Sequence, residues 1–541
     1  MMKRGLLAVA MAAVALVACG QSDGGSEPQF SGDRIKSDVA FLADDKLEGR
    51  FTGTPGHETA ARFVAARFAA LGLKPGNHGS WYQQIPFAQA ERKGGAPSGV
   101  TIAGQHFANG VDVSLYPNSA FPDQKIDGDV VFVGYGLAAP EIGSNDYDGL
   151  DVRGKIVVAL WGYPKGAPSE VGAHLLSEKP KMAKDHGALA LLQVTTPVLD
   201  SIATWESIAG RADQKDVKWV GADGRPNYPG PNLPLTGYLG PKAAAKLFAG
   251  APASLSSLLA ATQQDGARPK GFALKQKIQL ERHSLAKRIQ SPNVIAILPG
   301  SDPKLRDEYI VLSAHLDHIG RVKPENGDSI ANGAMDNAMG VATMLEAARA
   351  FVESGTVPKR SIMFVALTGE EEGLLGSEYL AMHPVTAPGK VVGAVNLDMP
   401  IVTYDFQDMV AYGADHSTVG KAVAKAIASQ GIKLTPDPAP EEVSFVRSDH
   451  YSFVKAGVPA VSLDLGPGGA GAKATEHFLA NHYHRVSDDM KLPFNWGAAA
   501  KFALVNYLIA RELADAKDPP RWYKGDYFGD RFAKDAAKAD R

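Results

Sequence analysis

The chain has 541 residues, of which 45% are hydrophobic and 21% charged, a composition that excludes a mainly disordered or collagen-like protein. Its 56 basic residues nearly balance 59 acidic ones, so the formal net charge is -3 and nucleic acid is not an expected partner. A single cysteine excludes disulfide frameworks, iron–sulfur clusters and thiolate zinc sites.

The N-terminus is typical of an exported bacterial lipoprotein. After two basic residues, an apolar run from Leu6 to Val17 is too short to span a bilayer and suits a secretion signal. The run ends at Cys19, and small residues before a cysteine resemble the box in which that cysteine is lipidated; the alternative is an ordinary signal with a chance cysteine. We expect a signal peptide over residues 1–19, a flexible tether over residues 20–29, and a lipid anchor at Cys19 that holds the protein in the cell envelope, at the outer membrane or facing the periplasm.

The rest of the chain predicts an α/β protein with an insert. Helical spacing predicts a helix over Gly56–Lys74, and short β-runs between glycines predict a small β-rich domain over residues 125–267. After residue 268 strands alternate with helices, which indicates a mixed, mostly parallel sheet flanked by helices. We expect one domain of residues 30–124 and 268–515, the insert, and a surface tail over 516–541. The predicted strands of this domain are Asn293–Leu298, Tyr309–Ala314, Ser361–Leu367, Val391–Leu397 and Val458–Leu463, and its helices are Ala338–Val352, Leu374–Met382, Val419–Ser429, Tyr451–Lys455 and Trp496–Ala514.

Side chains of metal-ligand type follow four of these strands, at the edge of a parallel sheet where ligand sites form. Charged groups there are costly unless something binds them. Each also has an ordinary explanation, such as a surface ion pair, a solvated helix start, a helix cap or a polar loop. Together with three candidates from intervening or later loops, they are His315, Asp317, Asp336, Glu370, Glu371, Asp398, Asp464, Tyr483 and His484.

Taken together and in order, these residues resemble the co-catalytic zinc exopeptidases, the family of bacterial leucyl-type aminopeptidases and glutamate carboxypeptidase. The matching stretches are residues 315–320, 332–340, 369–373, 396–398 and 483–484, preceded by an N-terminal segment at 47–56. Within the insert, residues 134–136 and 150–157 resemble a protease-associated domain.

The resemblance implies two zinc ions. One would be bound by His315 and Asp398, the other by Glu371 and His484, with Asp336 bridging both; it also implies a cis peptide bond after Asp336. Independently of the resemblance, imidazoles and carboxylates suit zinc without thiolates, and a pair of metals needs a shared carboxylate.

The resemblance also implies the catalytic roles. Glu370 would act as general base and acid on a water that bridges the metals. Tyr483 would donate a hydrogen bond to the developing oxyanion, and the Asp317 carboxylate would accept the second ring N–H of His315 and fix its tautomer.

The expected function is that of an aminopeptidase that hydrolyses N-terminal residues of peptides outside the cytoplasm. The alternatives are a carboxypeptidase or dipeptidase of the same family, a glutaminyl-cyclase-like acyltransferase, and a non-catalytic receptor-like scaffold. Residues 466–471 fit the glycine pattern of dinucleotide-binding loops, but Pro467 and the lack of a surrounding phosphate-binding unit argue against a nucleotide partner.

Overall fold

The computed structural model describes residues 28–230 and 233–541. The predicted signal peptide with Cys19 lies outside the described residues, as does most of the tether. Within the described ranges, no helix has both the length and the apolar character needed to cross a bilayer.

The main sheet has parallel strands in its middle, as the sequence predicts. The strands Ser361–Leu367, Glu308–His315, Lys390–Asn396 and Ala460–Leu465 are neighbours and run in the same direction. Antiparallel strands lie on both sides of them, so the sheet is mixed. In the described part of the chain this sheet has thirteen strands. Nine of them are neighbours in the order Asp216–Trp219, Tyr82–Arg92, Ile278–Leu298, Ser361–Leu367, Glu308–His315, Lys390–Asn396, Ala460–Leu465, Asp408–Tyr412 and Lys433–Leu434. The other four, which branch from Ile278–Leu298 directly or through one another, are Lys74–Pro75, Gly99–Ile102, Gln105–Ala108 and Asp123–Gly128.

Helices cover both faces of this sheet, and both faces are apolar. All seven residues of Ser361–Leu367 are buried, which is typical of a central parallel strand. The α-helices of the described residues are Gly32–Leu42, Pro55–Ala70, Ser169–Asp185, Pro197–Ile202, Trp205–Gly210, Pro241–Leu247, Leu255–Ala261, Gly340–Glu353, Leu375–Met382, Val419–Ser429, His450–Lys455, Gly471–Asn481, Trp496–Asp515 and Tyr527–Phe532. The largest apolar cluster joins the helices Gly340–Glu353 and Trp496–Asp515 to one face of the sheet. The prediction of a mixed sheet flanked by helices is confirmed, but most of its strand pairings are antiparallel, so the prediction that the sheet is mostly parallel is wrong.

A second sheet has its own core. Four of its strands are parallel, and the apolar cluster around them extends from Val100 to Leu280. Its six strands, within the described residues, are Phe272–Ala273, Val130–Phe132, Ile156–Leu160, Ala190–Val194, Leu235–Leu239 and Val113–Leu115. This core takes residues from a wider range than the predicted insert of 125–267, and Asp216–Trp219 of that range pairs instead with the main sheet. That the insert is a protease-associated domain stays a prediction. Two hairpins complete the strands, Ala138–Ala139 with Ser144–Asn145 and Arg321–Glu325 with Asp328–Ile330.

The C-terminal tail is more deeply packed than a surface segment. Trp522 and Phe528 are 2% and 1% exposed, and the indole N–H of Trp522 donates to the Gly457 carbonyl at 2.8 Å. The tail therefore covers the face of the main sheet opposite the largest cluster, because its aromatic side chains fill that apolar surface.

Candidate metal centre

Three of the predicted ligands lie at the carboxyl ends of adjacent parallel strands. His315 is the last residue of its strand and pairs with Leu367, after which the chain continues to Glu371. Asp398 lies two residues beyond Asn396, the end of the next strand on the other side. Because these strands are parallel and adjacent, their ends bring the three side chains to one edge of the sheet.

Asp336 and His484 reach the same edge from loops. Asp336 precedes the helix Gly340–Glu353 and is 4% exposed. Its peptide bond to Asn337 is cis, as the resemblance implies. His484 follows the helix Gly471–Asn481, which is not among the helices predicted from the sequence.

The carboxylate of Asp336 faces two histidines at once. Its Oδ1 lies 3.2 Å from Nε2 of His315, and its Oδ2 lies 3.4 Å from Nε2 of His484. His315 Nε2 is also 3.0 Å from Asp398 Oδ1, and His484 Nε2 is 3.0 Å from Glu371 Oε2. The five side chains thus form two imidazole–carboxylate pairs that share Asp336.

The charges of this cluster suit two divalent cations. Burial lowers the pKa of His484, but contact with Asp336 and Glu371 raises it to about 10. Conversely, the histidines hold the pKa of Asp336 well below its usual range and that of Glu371 at about 2, although burial raises both. The buried Nε2 atom of His484 lies close to the carboxylates of Asp336 and Glu371 but has no hydrogen-bond partner in the described part of the chain. A metal ion that binds here displaces any protons from the imidazoles, and two imidazoles with three carboxylates are a donor set that fits zinc.

The structure corrects the predicted role of Asp317. The Nδ1 atom of His315 lies 3.1 Å from the backbone carbonyl of Asp317, not from its carboxylate. The carboxylate turns the other way and accepts the backbone N–H groups of Glu370 and Glu371 at 3.2 and 3.3 Å. Asp317 therefore serves His315 through its main chain and positions the Glu370–Glu371 segment through its side chain.

The comparison with known families agrees with this geometry. Residues 293–509, which include all five of these side chains, match peptidase family M28. We call this stretch the M28 segment.

Curated relatives match this chain over part of their length. Leucine aminopeptidase 1 of Trichophyton rubrum is 29% identical over 222 residues, which are 40% of this chain and 55% of that protein. A probable zinc metalloprotease of Pyrenophora teres f. teres is 40% identical over 106 residues, 20% of this chain and 22% of that protein. The chain spans about half the length of the leucine aminopeptidases that it matches.

Among solved structures, an aminopeptidase from Aneurinibacillus sp. strain AM-1 has the same fold. The two structures align with a TM-score of 0.53 at 19% sequence identity. The alignment covers 90% of this chain and 94% of the aminopeptidase chain. At that identity the likeness establishes the fold alone.

Two groups to which the sequence assigns no role, Ser448 and His318, contact the candidate ligands. The Ser448 hydroxyl donates to Oδ2 of Asp398 and accepts from the Asn396 amide at 2.7 Å. His318 is buried, and its Nδ1 lies 2.6 Å from Oε1 of Glu371. His318 lies inside the stretch 315–320 quoted for the resemblance, whereas only the folded chain brings Ser448 to Asp398, 50 residues away.

Tyr483 lies beside the ligands. Its ring stacks on that of His484 with centroids 3.9 Å apart. Burial raises the pKa of its phenol, and the nearby Asp336 and Glu371 carboxylates raise it further, so the phenol stays protonated. Its role as a donor to an oxyanion stays a prediction.

Proposed function

We propose that the chain is a di-zinc exopeptidase. His315 and Asp398 would hold one ion, Glu371 and His484 the other, and Asp336 would bridge them. The observation that carries this proposal is that one carboxylate oxygen of Asp336 lies next to His315 and the other next to His484.

Glu370 is the proposed proton carrier. When bound, a zinc pair supplies Lewis acidity and lowers the pKa of a shared water toward about 7. Glu370 takes a proton from the attacking water and delivers it to the leaving amine. Burial raises the pKa of Glu370 well above its usual value; His315 lowers it, and Asp398 and Glu371 raise it again, which favours the delivery step. Tyr483 donates a hydrogen bond to the oxyanion that develops on the scissile carbonyl.

We further propose an aminopeptidase that acts on the N-terminal residues of peptides. Its support is the name of curated relatives that match part of this chain, leucine aminopeptidase. The complete set of five candidate ligands argues against a scaffold that has lost its metals.

A panel of three substrates tests this proposal. An aminoacyl p-nitroanilide, its N-acetylated form and an N-blocked peptide with a free carboxyl end would each be incubated with the enzyme, before and after chelator treatment. We expect turnover of the free-amine substrate alone, loss of activity with chelator, and recovery with added zinc. Equal cleavage of the acetylated substrate would contradict the aminopeptidase proposal, and release of the C-terminal residue would indicate a carboxypeptidase.

We also propose that the enzyme is exported and lipid-anchored at Cys19. The support is the sequence alone, a short apolar run that ends in small residues and a cysteine. Mass spectrometry of the N-terminal peptide should find a lipidated cysteine, and Cys19→Ser should release the enzyme from the membrane fraction. An unmodified Cys19 within a longer chain would contradict the anchor.

A further inference from the structure

Arg50 is a buried arginine that lies behind the metal centre. It is 1% exposed, and its four hydrogen bonds go to main-chain carbonyls. The guanidinium donates to the carbonyl oxygens of Leu42 at 2.5 Å, Leu316 at 2.8 Å, Asn332 at 2.6 Å and Gly333 at 3.1 Å. Burying a guanidinium is costly unless its donors and its charge are compensated.

The carbonyls bound by Arg50 belong to two ligand segments. Leu316 follows His315 directly, and Asn332 and Gly333 form the turn that leads to Asp336. One rigid guanidinium therefore fixes the segment of the first histidine relative to the segment of the shared carboxylate. The surrounding negative charges that act on Arg50 include Asp336 itself.

Asp488 connects the segment of His484 to the segment of Asp336. It is fully buried and lies four residues after His484. Its two carboxylate oxygens accept the backbone N–H groups of Met335 at 2.8 Å and Asp336 at 3.0 Å. Its carbonyl accepts the N–H of Ala334 at 3.1 Å. Three hydrogen bonds thus fix the segment of the second histidine relative to the shared carboxylate.

We propose that Arg50 and Asp488 are positioning residues that set the spacing of the two metal sites. Arg50 couples His315 to Asp336, and Asp488 couples Asp336 to His484. The inference rests on the proposed function, because it assigns these contacts a role in binding the zinc pair.

Replacing Arg50 and replacing Asp488 should lower the zinc affinity of different metal sites. In Arg50→Lys, one ammonium with three N–H groups cannot reach four carbonyls on three segments, so the site of His315 should weaken more. In Asp488→Asn, one oxygen acceptor is replaced by an amide that faces a backbone N–H, so the site of His484 should weaken more. Groups that orient metal ligands typically change metal affinity by about 10–100-fold, and we expect losses in that range.

Matched controls separate positioning from general stability. Arg282 is also buried, and it donates to the carbonyls of Tyr116, Phe121 and Pro234, away from the ligand segments. Asp526 is a buried aspartate that accepts the Gly529 N–H at 2.9 Å. Arg282→Lys and Asp526→Asn should lower the unfolding midpoint without changing zinc affinity.

The experiment is a zinc titration of the full-length apoprotein against a chromophoric competitor, with the unfolding midpoint measured on the same samples. Asp398→Asn and Glu371→Gln assign the two binding steps to the two sites. We expect Arg50→Lys and Asp488→Asn each to weaken mainly its own step, with both controls binding as wild type does.

Two results would overturn the positioning proposal. One is a folded Arg50→Lys or Asp488→Asn variant that binds zinc with wild-type affinity in both steps. If Arg50→Lys does not fold, Asp488→Asn alone provides this test. The other is an equal loss of affinity in the two controls. Failure of the proposed function looks different, because the wild-type apoprotein would then bind no zinc pair at all.

Discussion

Replacing Glu370 with glutamine removes the proposed proton carrier and leaves the surrounding structure in place. The position of Glu370 is set by its main chain: its N–H donates to Asp317 at 3.2 Å, and its carbonyl accepts the N–H groups of Gly373 and Leu374 at 2.8 and 2.9 Å. Glutamine keeps these bonds and the side-chain volume. Loss of a positioned acid–base group costs about 10²–10⁴ in rate, which is about 3–5 kcal/mol in the activation free energy.

The assay is the rate of aminoacyl p-nitroanilide hydrolysis, with zinc content measured on the same protein. We expect kcat to fall by about 10²–10⁴-fold, two zinc ions to remain, and the unfolding midpoint to stay the same or rise, because burial penalises the charged form of Glu370. The matched control is Glu372→Gln, since Glu372 is a neighbouring glutamate whose pKa burial raises to about 8. It should keep most of the activity. Full activity of Glu370→Gln, or an equal loss in the control, would refute the proton-carrier role.

Three further predictions concern the metal bridge, the oxyanion donor and pH. Asp336→Ala should lose both zinc ions in elemental analysis, and a retained pair would refute the bridge. Tyr483→Phe should lower kcat by about 10²-fold with KM little changed; a change in KM alone would contradict a transition-state contact. Burial lowers the pKa of His416, but Asp526 at 2.6 Å and Glu170 at 2.9 Å raise it from 6.5 to about 9. The stability from this pairing is complete below about pH 6.5 and is lost as pH rises through about 9, so the unfolding midpoint should fall over that window in wild type and not in His416→Gln.

The sequence predicts the parallel strands and their carboxyl ends well, because burial on both faces leaves continuous apolar runs. Ser361–Leu367 and the helix Val419–Ser429 have the predicted bounds. Where a polar side chain directly follows such a run, as His315 does, its place at the sheet edge follows from topology. The structure brings together all five residues that the resemblance implied as ligands.

Other features depend on contacts between distant segments and cannot be read from local patterns. The strand predicted as Asn293–Leu298 begins at Ile278, because the residues before Asn293 pair with strands that lie far away in the sequence, within residues 82–128. The His315 ring lies next to the main-chain carbonyl oxygen of Asp317 and not next to its carboxylate. Which of the two oxygens faces the ring depends on the orientation of one peptide group, and the sequence does not show that orientation. Arg50 and Asp488 bind main-chain groups, and such contacts leave no pattern in the sequence.

The central claim is that two zinc ions share Asp336. Diffraction data collected on either side of the zinc absorption edge, from crystals of the zinc-loaded protein, test it most directly. The account predicts two anomalous peaks flanking the Asp336 carboxylate, one beside His315 and Asp398 and the other beside Glu371 and His484. A single peak, or peaks away from these side chains in an active enzyme, would contradict it.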